Sequence, residues 1–145
     1  MTMQVVTGAV DERVLSRHQK LATLPDATLE QDAIQAIRYE LDLPPDERRR
    51  RALDRFRAWL LLDRPSACRL AEAFARVSAR FDASEQETLA ETEEDAVLDG
   101  LAFREFQEVA SFVPSLAKWR SFADRAPDLG PLPRSLAAAL ASSRP

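Results

Sequence analysis

Apolar residues recur along this chain at intervals of three and four, which is the spacing of one face of an α-helix. The clearest run lies between residues 66 and 81, where Leu70, Phe74, Val77 and Phe81 follow one another at spacings of four, three and four. The alternating pattern that is typical of strands is absent, apart from a short stretch at residues 3–8. The pattern therefore predicts an all-α protein.

Prolines and polar breaks divide this pattern into separate helices. Thr28 with Gln31 and Ser84 with Glu87 have the three-residue spacing of a capping box at a helix start. Gly100 fits a cap at a helix end. We expect helices from about Asp11 to Leu24 and over residues 28–42, 45–62, 66–81, 85–99 and 101–112, then one that begins at Pro114 and a short last one around Leu136 and Leu140.

Short connections of two to five residues favour antiparallel packing of consecutive helices. The sequence therefore predicts a single compact bundle of five to seven helices with mostly antiparallel neighbours. We expect residues 1–9 to be a flexible or docked arm, residues 10–141 to form the helical domain and residues 142–145 to be a frayed tail.

Composition narrows the class of protein. The chain has 145 residues, of which 46% are hydrophobic and 30% charged, which is close to the average of globular domains and argues against disorder. The N-terminus lacks the basic and apolar regions of a signal peptide, and no apolar stretch approaches the length of a membrane span. We therefore expect a cytoplasmic protein without a membrane partner.

The residue types that most catalytic and cofactor sites require are scarce. Three isolated glycines cannot form a phosphate-binding loop, and single histidine and cysteine residues, His18 and Cys68, cannot form a zinc or di-iron site. His18 could accept a phosphoryl group and Cys68 could be a nucleophile. The favoured interpretations are an exposed helical residue for His18 and a small buried hydrophobic residue for Cys68. We expect no catalysis, no cofactor and no metal.

Charge is strongly sorted along the chain. Residues 45–81 hold ten arginines and five acidic residues, whereas residues 82–99 hold eight acidic residues and no basic one. On a helical wheel, Arg49 falls within the apolar stripe of its helix and Arg55 flanks that stripe, while Glu93 falls within the stripe of the acidic helix. A charge that interrupts an apolar face needs a partner, so we expect an Arg49–Glu93 contact.

The sorted charges have several possible uses. They can pair internally. Alternatively, the arginine face can bind an acidic surface of another protein, or the acidic helix a basic one, as in an adaptor, assembly factor or regulatory subunit. Two copies of this chain could also associate through their basic and acidic faces. Nucleic acid is a less favoured partner, because the net charge is −4 and the neighbouring helix is acidic. An enzyme with a carboxylate–arginine site is a third alternative. The residues expected to contact a partner are Arg48, Arg50, Arg51, Arg55 and Arg57.

A second candidate surface is aromatic. Phe112 and Phe122 fall off the main apolar stripes and could form an exposed patch, which would indicate a binding site. Burial at the bend around Pro114 is the favoured alternative.

Overall fold

The computed structural model describes residues 11–119, and every element in that range is a helix, which confirms the all-α class and the helical bundle. Predictions for the N-terminal arm, for Phe122 and for the last helix lie outside the described residues. The helix expected at Pro114 is a 3₁₀ helix, Pro114–Trp119. The six helices before it are α1 Glu12–Leu21, α2 Asp26–Leu41, α3 Pro45–Leu60, α4 Arg64–Ser78, α5 Ala83–Gly100 and α6 Phe103–Ala110.

The helix starts follow local sequence, although two capping predictions were wrong. α2 begins directly after Pro25, so Thr28 already lies inside the helix and does not cap it. At α5 the capping box is formed two residues earlier than expected. Asp82 Oδ1 accepts from the amide of Glu85 at 2.8 Å, and Glu85 Oε1 accepts from the amide of Asp82 at 3.1 Å. The pair Asp82 and Glu85 has the same three-residue spacing as the predicted pair Ser84 and Glu87, and it forms the hydrogen bonds of the first helical turn.

Helix directions follow from cross-contacts. Arg48 near the start of α3 donates to Thr92 of α5 at 3.0 Å, and Arg57 near the end of α3 donates to the carbonyl of Gly100 at the end of α5. α3 and α5 therefore run in the same direction and pack extensively along their length. α4 packs mainly against α2, where Arg69 pairs with Asp26 and both Arg76 and Arg80 pair with Glu30.

The core is a single cluster around the aromatic residues of α3 and α4. The indole of Trp59 packs edge-on against Phe56 and Phe74, with ring centroids 5.9 and 6.2 Å apart. Leu70 and Val77, which the sequence pattern placed on the same stripe as Phe74, are also buried. α1 lies at the edge of this core, because none of its residues is fully buried while Leu21 packs partly buried against the core, and it contacts mainly α3.

Candidate functional site

Most of the arginines on α3 are bound within the molecule. Arg48 donates to Thr92 and to the carbonyl of Leu43, and Arg57 donates to the carbonyl of Gly100. The guanidinium of Arg51 lies 4.6 Å from the ring centre of Tyr39. Only Arg50 of this group is exposed without an ion pair among the described residues. The arginine run is therefore not a continuous exposed face.

Arg55 is the centre of a buried charged cluster that joins three helices. It is 5% exposed, and its Nη1 donates to Glu40 Oε2 of α2, while its Nη2 lies 3.6 Å from Glu93 Oε2 of α5. The guanidinium also stacks 4.1 Å from the ring centre of Phe74. Ser115 in the 3₁₀ helix donates to Glu93 Oε1 at 2.6 Å. The sequence placed Arg55 at the edge of the apolar stripe, but the structure buries it.

The predicted contact between Arg49 and Glu93 is not formed, because a different arginine pairs with Glu93. Glu93 is buried as expected, but its cation is Arg55. Arg49 has a side chain that is 37% exposed, and it pairs with Asp46 at 3.2 Å and Asp99 at 3.5 Å. The long side chain of Arg49 reaches the surface at the helix edge, where its charge remains hydrated, so a nominal position on the stripe does not bury it.

Burial changes the ionisation of two groups at this cluster. Desolvation raises the pKa of Glu93, and the charge of Arg55 and the hydroxyl of Ser115 oppose this only in part. Desolvation, together with the nearby charges of Arg55 and Arg17, lowers the pKa of His18 from 6.5 to about 4. His18 is therefore neutral at pH 7.

The hydrogen bond of His18 defines its tautomer. Trp59 Nε1 donates to His18 Nδ1 at 3.2 Å. An indole nitrogen can only donate, so Nδ1 must be unprotonated and Nε2 carries the hydrogen. His18 thus acts as a structural acceptor between α1 and α3, which differs from the exposed residue that was the favoured interpretation.

A cavity of about 110 Å³ adjoins the charged cluster, between α1, α2, α3 and α4. Apolar side chains such as Leu29, Leu70 and Phe74 form much of its wall. Glu40 and Arg55 also line it, and Glu40 Oε1, Arg55 Nε and Arg55 Nη2 have no hydrogen-bond partner among the described residues. Buried polar atoms are seldom left without a partner, so this combination identifies the cavity as a candidate binding site.

The exposed face of α5 is acidic. Four carboxylates spaced four residues apart lie along it, and we call them the acidic stripe: Glu87, Glu91, Asp95 and Asp99. Among the described residues only Asp99 has an ion-pair partner, Arg49. Of the other acidic residues of this segment, Glu93 and Glu94 are buried, with Glu94 bound to Lys118 at 3.1 Å, whereas Asp82 and Glu85 form the capping box.

The aromatic surface is not present at Phe112. This side chain is 7% exposed, and the guanidinium of Arg64 lies 5.6 Å from its ring centre. Phe122 lies outside the described residues. The only large apolar side chains that are exposed in the described part are Tyr39 and Leu61.

Sequence reasoning missed Glu40, although a signal was present. Glu40 lies three residues after the buried Ile37 and seven after the buried Ala33, so it falls on the inner face of α2. A carboxylate at such a position requires a buried cation, and the arginine-rich α3 provides one.

Within residues 11–119, no three histidine, cysteine or acidic side chains are grouped so that they could hold a metal ion. No helix in that range has the length and apolar character needed to cross a membrane. Comparison with known proteins finds no family model, no curated protein and no solved structure that matches this chain.

Proposed function

We propose that this protein is a non-catalytic interaction module that binds a basic surface of another protein through the acidic stripe of α5. Such a module could serve as an adaptor, an assembly factor or a regulatory subunit in the cytoplasm. The observation that carries the proposal is the row of exposed carboxylates at Glu87, Glu91 and Asp95, which have no ion-pair partner among the described residues.

The acidic stripe lowers the stability of its own helix. Like charges four residues apart are unfavourable by about 0.2–0.5 kcal/mol per pair. Asp95 and Asp99 also lie near the C-terminal end of α5, where the helix dipole is negative, and the last turn has no basic residue. Arg48 and Arg49 line a surface groove together with Glu91 and Asp95, but neither forms an ion pair with these carboxylates, so the cost is compensated only in part. A feature that costs stability in this way is better explained by binding than by folding.

The internal pairing of the arginines favours a basic partner over an acidic one. Arg48, Arg55 and Arg57 donate to groups inside the molecule, so little of the arginine run remains to bind an acidic surface. Nucleic acid is disfavoured as a partner for two reasons: few arginines remain free to bind phosphate, and the acidic stripe would repel it. Arg50 remains exposed, so a second copy of the chain is the other partner that the surface charges would allow.

The test is an affinity capture from nuclease-treated native extract with three baits. The first is the wild-type chain, and the second is Glu87→Gln/Glu91→Gln/Asp95→Asn. The third is a matched control, Asp42→Asn/Glu72→Gln/Glu108→Gln, which neutralises three other exposed carboxylates and changes the net charge equally.

We expect a protein with a basic surface to be recovered by the wild type and the control, lost with the second bait and released by moderate salt. Equal recovery by all three baits would show that the acidic stripe is not the interface. Recovery of the chain itself by the wild type and the control would replace the basic partner with self-association.

A further inference from the structure

The cavity beside Arg55 has the features of a ligand site that is separate from the acidic stripe. Glu40 is 1% and Arg55 is 5% exposed, and both carry polar atoms without a hydrogen-bond partner. Arg55 Nη2 already lies 3.6 Å from Glu93 Oε2, so the atoms left for a molecule in the cavity are Glu40 Oε1, an acceptor, and Arg55 Nε, a donor. A molecule that satisfies them must therefore offer a donor and an acceptor together.

The charges around the cavity decide the charge of the ligand. The side chains that line it include three arginines and three carboxylates: Arg17, Arg51, Arg55, Asp32, Glu40 and Asp54. Their formal charges balance, and His18 is neutral at pH 7. An ionised ligand would lose its hydration without gaining a counter-charge, so the site favours a neutral one.

Size and wall chemistry define the rest of the molecule. Apolar cavities of roughly 150 Å³ bind benzene, so a cavity of about 110 Å³ accommodates one small ring or a short chain. The walls contributed by Leu29, Leu70 and Phe74 match an apolar body. We infer that this cavity binds a neutral, single-ring-sized molecule whose one polar group both donates and accepts, such as a primary amide or an alcohol.

Movement of α1 would give a ligand access to the cavity. It contributes part of the cavity wall, yet none of its residues is buried. Two polar contacts hold it over the cavity: Arg17 Nη2 donates to both oxygens of Asp32 at 2.9 and 3.0 Å, and Trp59 donates to His18. A weakly docked helix can move away without disruption of the core.

The two tryptophans of the chain make the inference testable by ¹H–¹⁵N NMR of the full chain. Trp59 lines this cavity and also a second one between α4, α5 and the 3₁₀ helix, whereas Trp119 lines neither. A shift of the Trp59 indole resonance therefore reports binding at one of the two cavities, and a variant that fills the first one assigns it. The neutral probes are benzamide and phenol, benzene tests the apolar body alone, and benzoate and benzamidine test charge. We expect benzamide and phenol to shift the Trp59 resonance saturably at millimolar concentration, with Trp119 unchanged.

A cavity-filling variant locates the binding. Ala36 lines the cavity from α2 and is half-buried, so Ala36→Leu should fill the space and abolish the shift while the spectrum stays that of a folded protein. Ala27→Leu, at an exposed position of the same helix, is the control and should bind as the wild type does.

Three results would overturn the inference. If no probe shifts Trp59 saturably, the cavity holds water alone. If benzene binds as well as phenol and benzamide, the unpartnered atoms of Glu40 and Arg55 do not select the ligand. If benzoate or benzamidine binds best, the charge balance around the cavity does not exclude ions.

Discussion

At the scale of single residues, His18 shows how burial changes the use of a titratable group. Its imidazole accepts from the Trp59 indole, and desolvation holds its pKa at about 4. The unfolded chain binds a proton at His18 below pH 6.5, whereas the folded chain does not until about pH 4. Acid therefore favours the unfolded state through this residue.

We expect the free energy of unfolding to fall by roughly 3 kcal/mol through His18 as the pH drops from 6.5 to about 4. In a His18→Asn variant the amide oxygen can still accept from Trp59, but nothing titrates there, so this loss should be absent. Urea unfolding at a series of pH values measures both proteins.

Glu93 acts in the opposite direction over part of this range. Its raised pKa keeps it protonated in the folded chain at a pH where it is ionised in the unfolded chain, so its contribution to stability falls as the pH rises above 4.5. The effect is common to the wild type and the His18→Asn variant, so their difference isolates His18. Parallel pH profiles for the two proteins would contradict the assignment.

At the scale of elements, Gly100 permits the close contact of α3 with α5. A Cβ at this position would lie 2.6 Å from Leu53 Cδ1. The sequence pattern predicted that Gly100 caps α5 from outside the helix, but Gly100 is the last residue of the helix itself. We expect Gly100→Ala to destabilise the protein by about 1 kcal/mol, because the clash outweighs the gain in helix propensity.

A double-mutant cycle separates the two effects at Gly100. In a Leu53→Ala background the clash is removed, so Gly100→Ala should stabilise by up to about 1 kcal/mol. The change of sign, measured by urea unfolding, is the diagnostic result. The same destabilisation in both backgrounds would show that backbone conformation, and not Leu53, excludes alanine.

The acidic stripe makes a prediction about α5 itself. Neutralisation of Glu91 and Asp95 removes repulsion between like charges and an unfavourable interaction with the helix dipole. The double variant Glu91→Gln/Asp95→Asn should therefore have a free energy of unfolding that is higher than that of the wild type by a few tenths to about 1 kcal/mol. Thermal unfolding measures this as a higher unfolding temperature. Added salt should reduce the difference, and a destabilised variant would mean that these carboxylates have favourable contacts.

At the scale of the whole molecule, apolar spacing predicted the fold better than charge spacing predicted the site. The stripe of Leu70, Phe74 and Val77 is buried as expected, because a short apolar side chain lies where its helix face points. Arginine side chains extend over several ångströms and turn toward partners or water, so wheel positions misplaced Arg49 and Arg55. The pairing of carboxylates with arginines depends on how the helices pack in three dimensions, and residue spacing along the sequence gives no information about that packing.

The cluster of Glu40, Arg55 and Glu93 connects α2, α3 and α5, so its energetics concern the whole bundle. An Arg55→Met variant removes the cation paired with the buried Glu93 and leaves Glu40 only the longer contact with Arg51 Nε at 3.9 Å, so it should lose about 3–5 kcal/mol of stability. Replacement of all three residues by apolar ones, Glu40→Met/Arg55→Met/Glu93→Leu, removes the buried charges together and should restore or exceed the wild-type stability. Urea unfolding of the single and triple variants checks both statements.

The triple variant also separates stability from recognition. If it is as stable as the wild type, the bundle does not need these charges in order to fold, and selection of a ligand in the adjoining cavity becomes the better explanation of their presence. The variant should then lose the preference for benzamide over benzene, because Glu40 and Arg55 supply the unpartnered polar atoms. A triple variant that stays as unstable as Arg55→Met would instead show that the cluster holds α2, α3 and α5 in register.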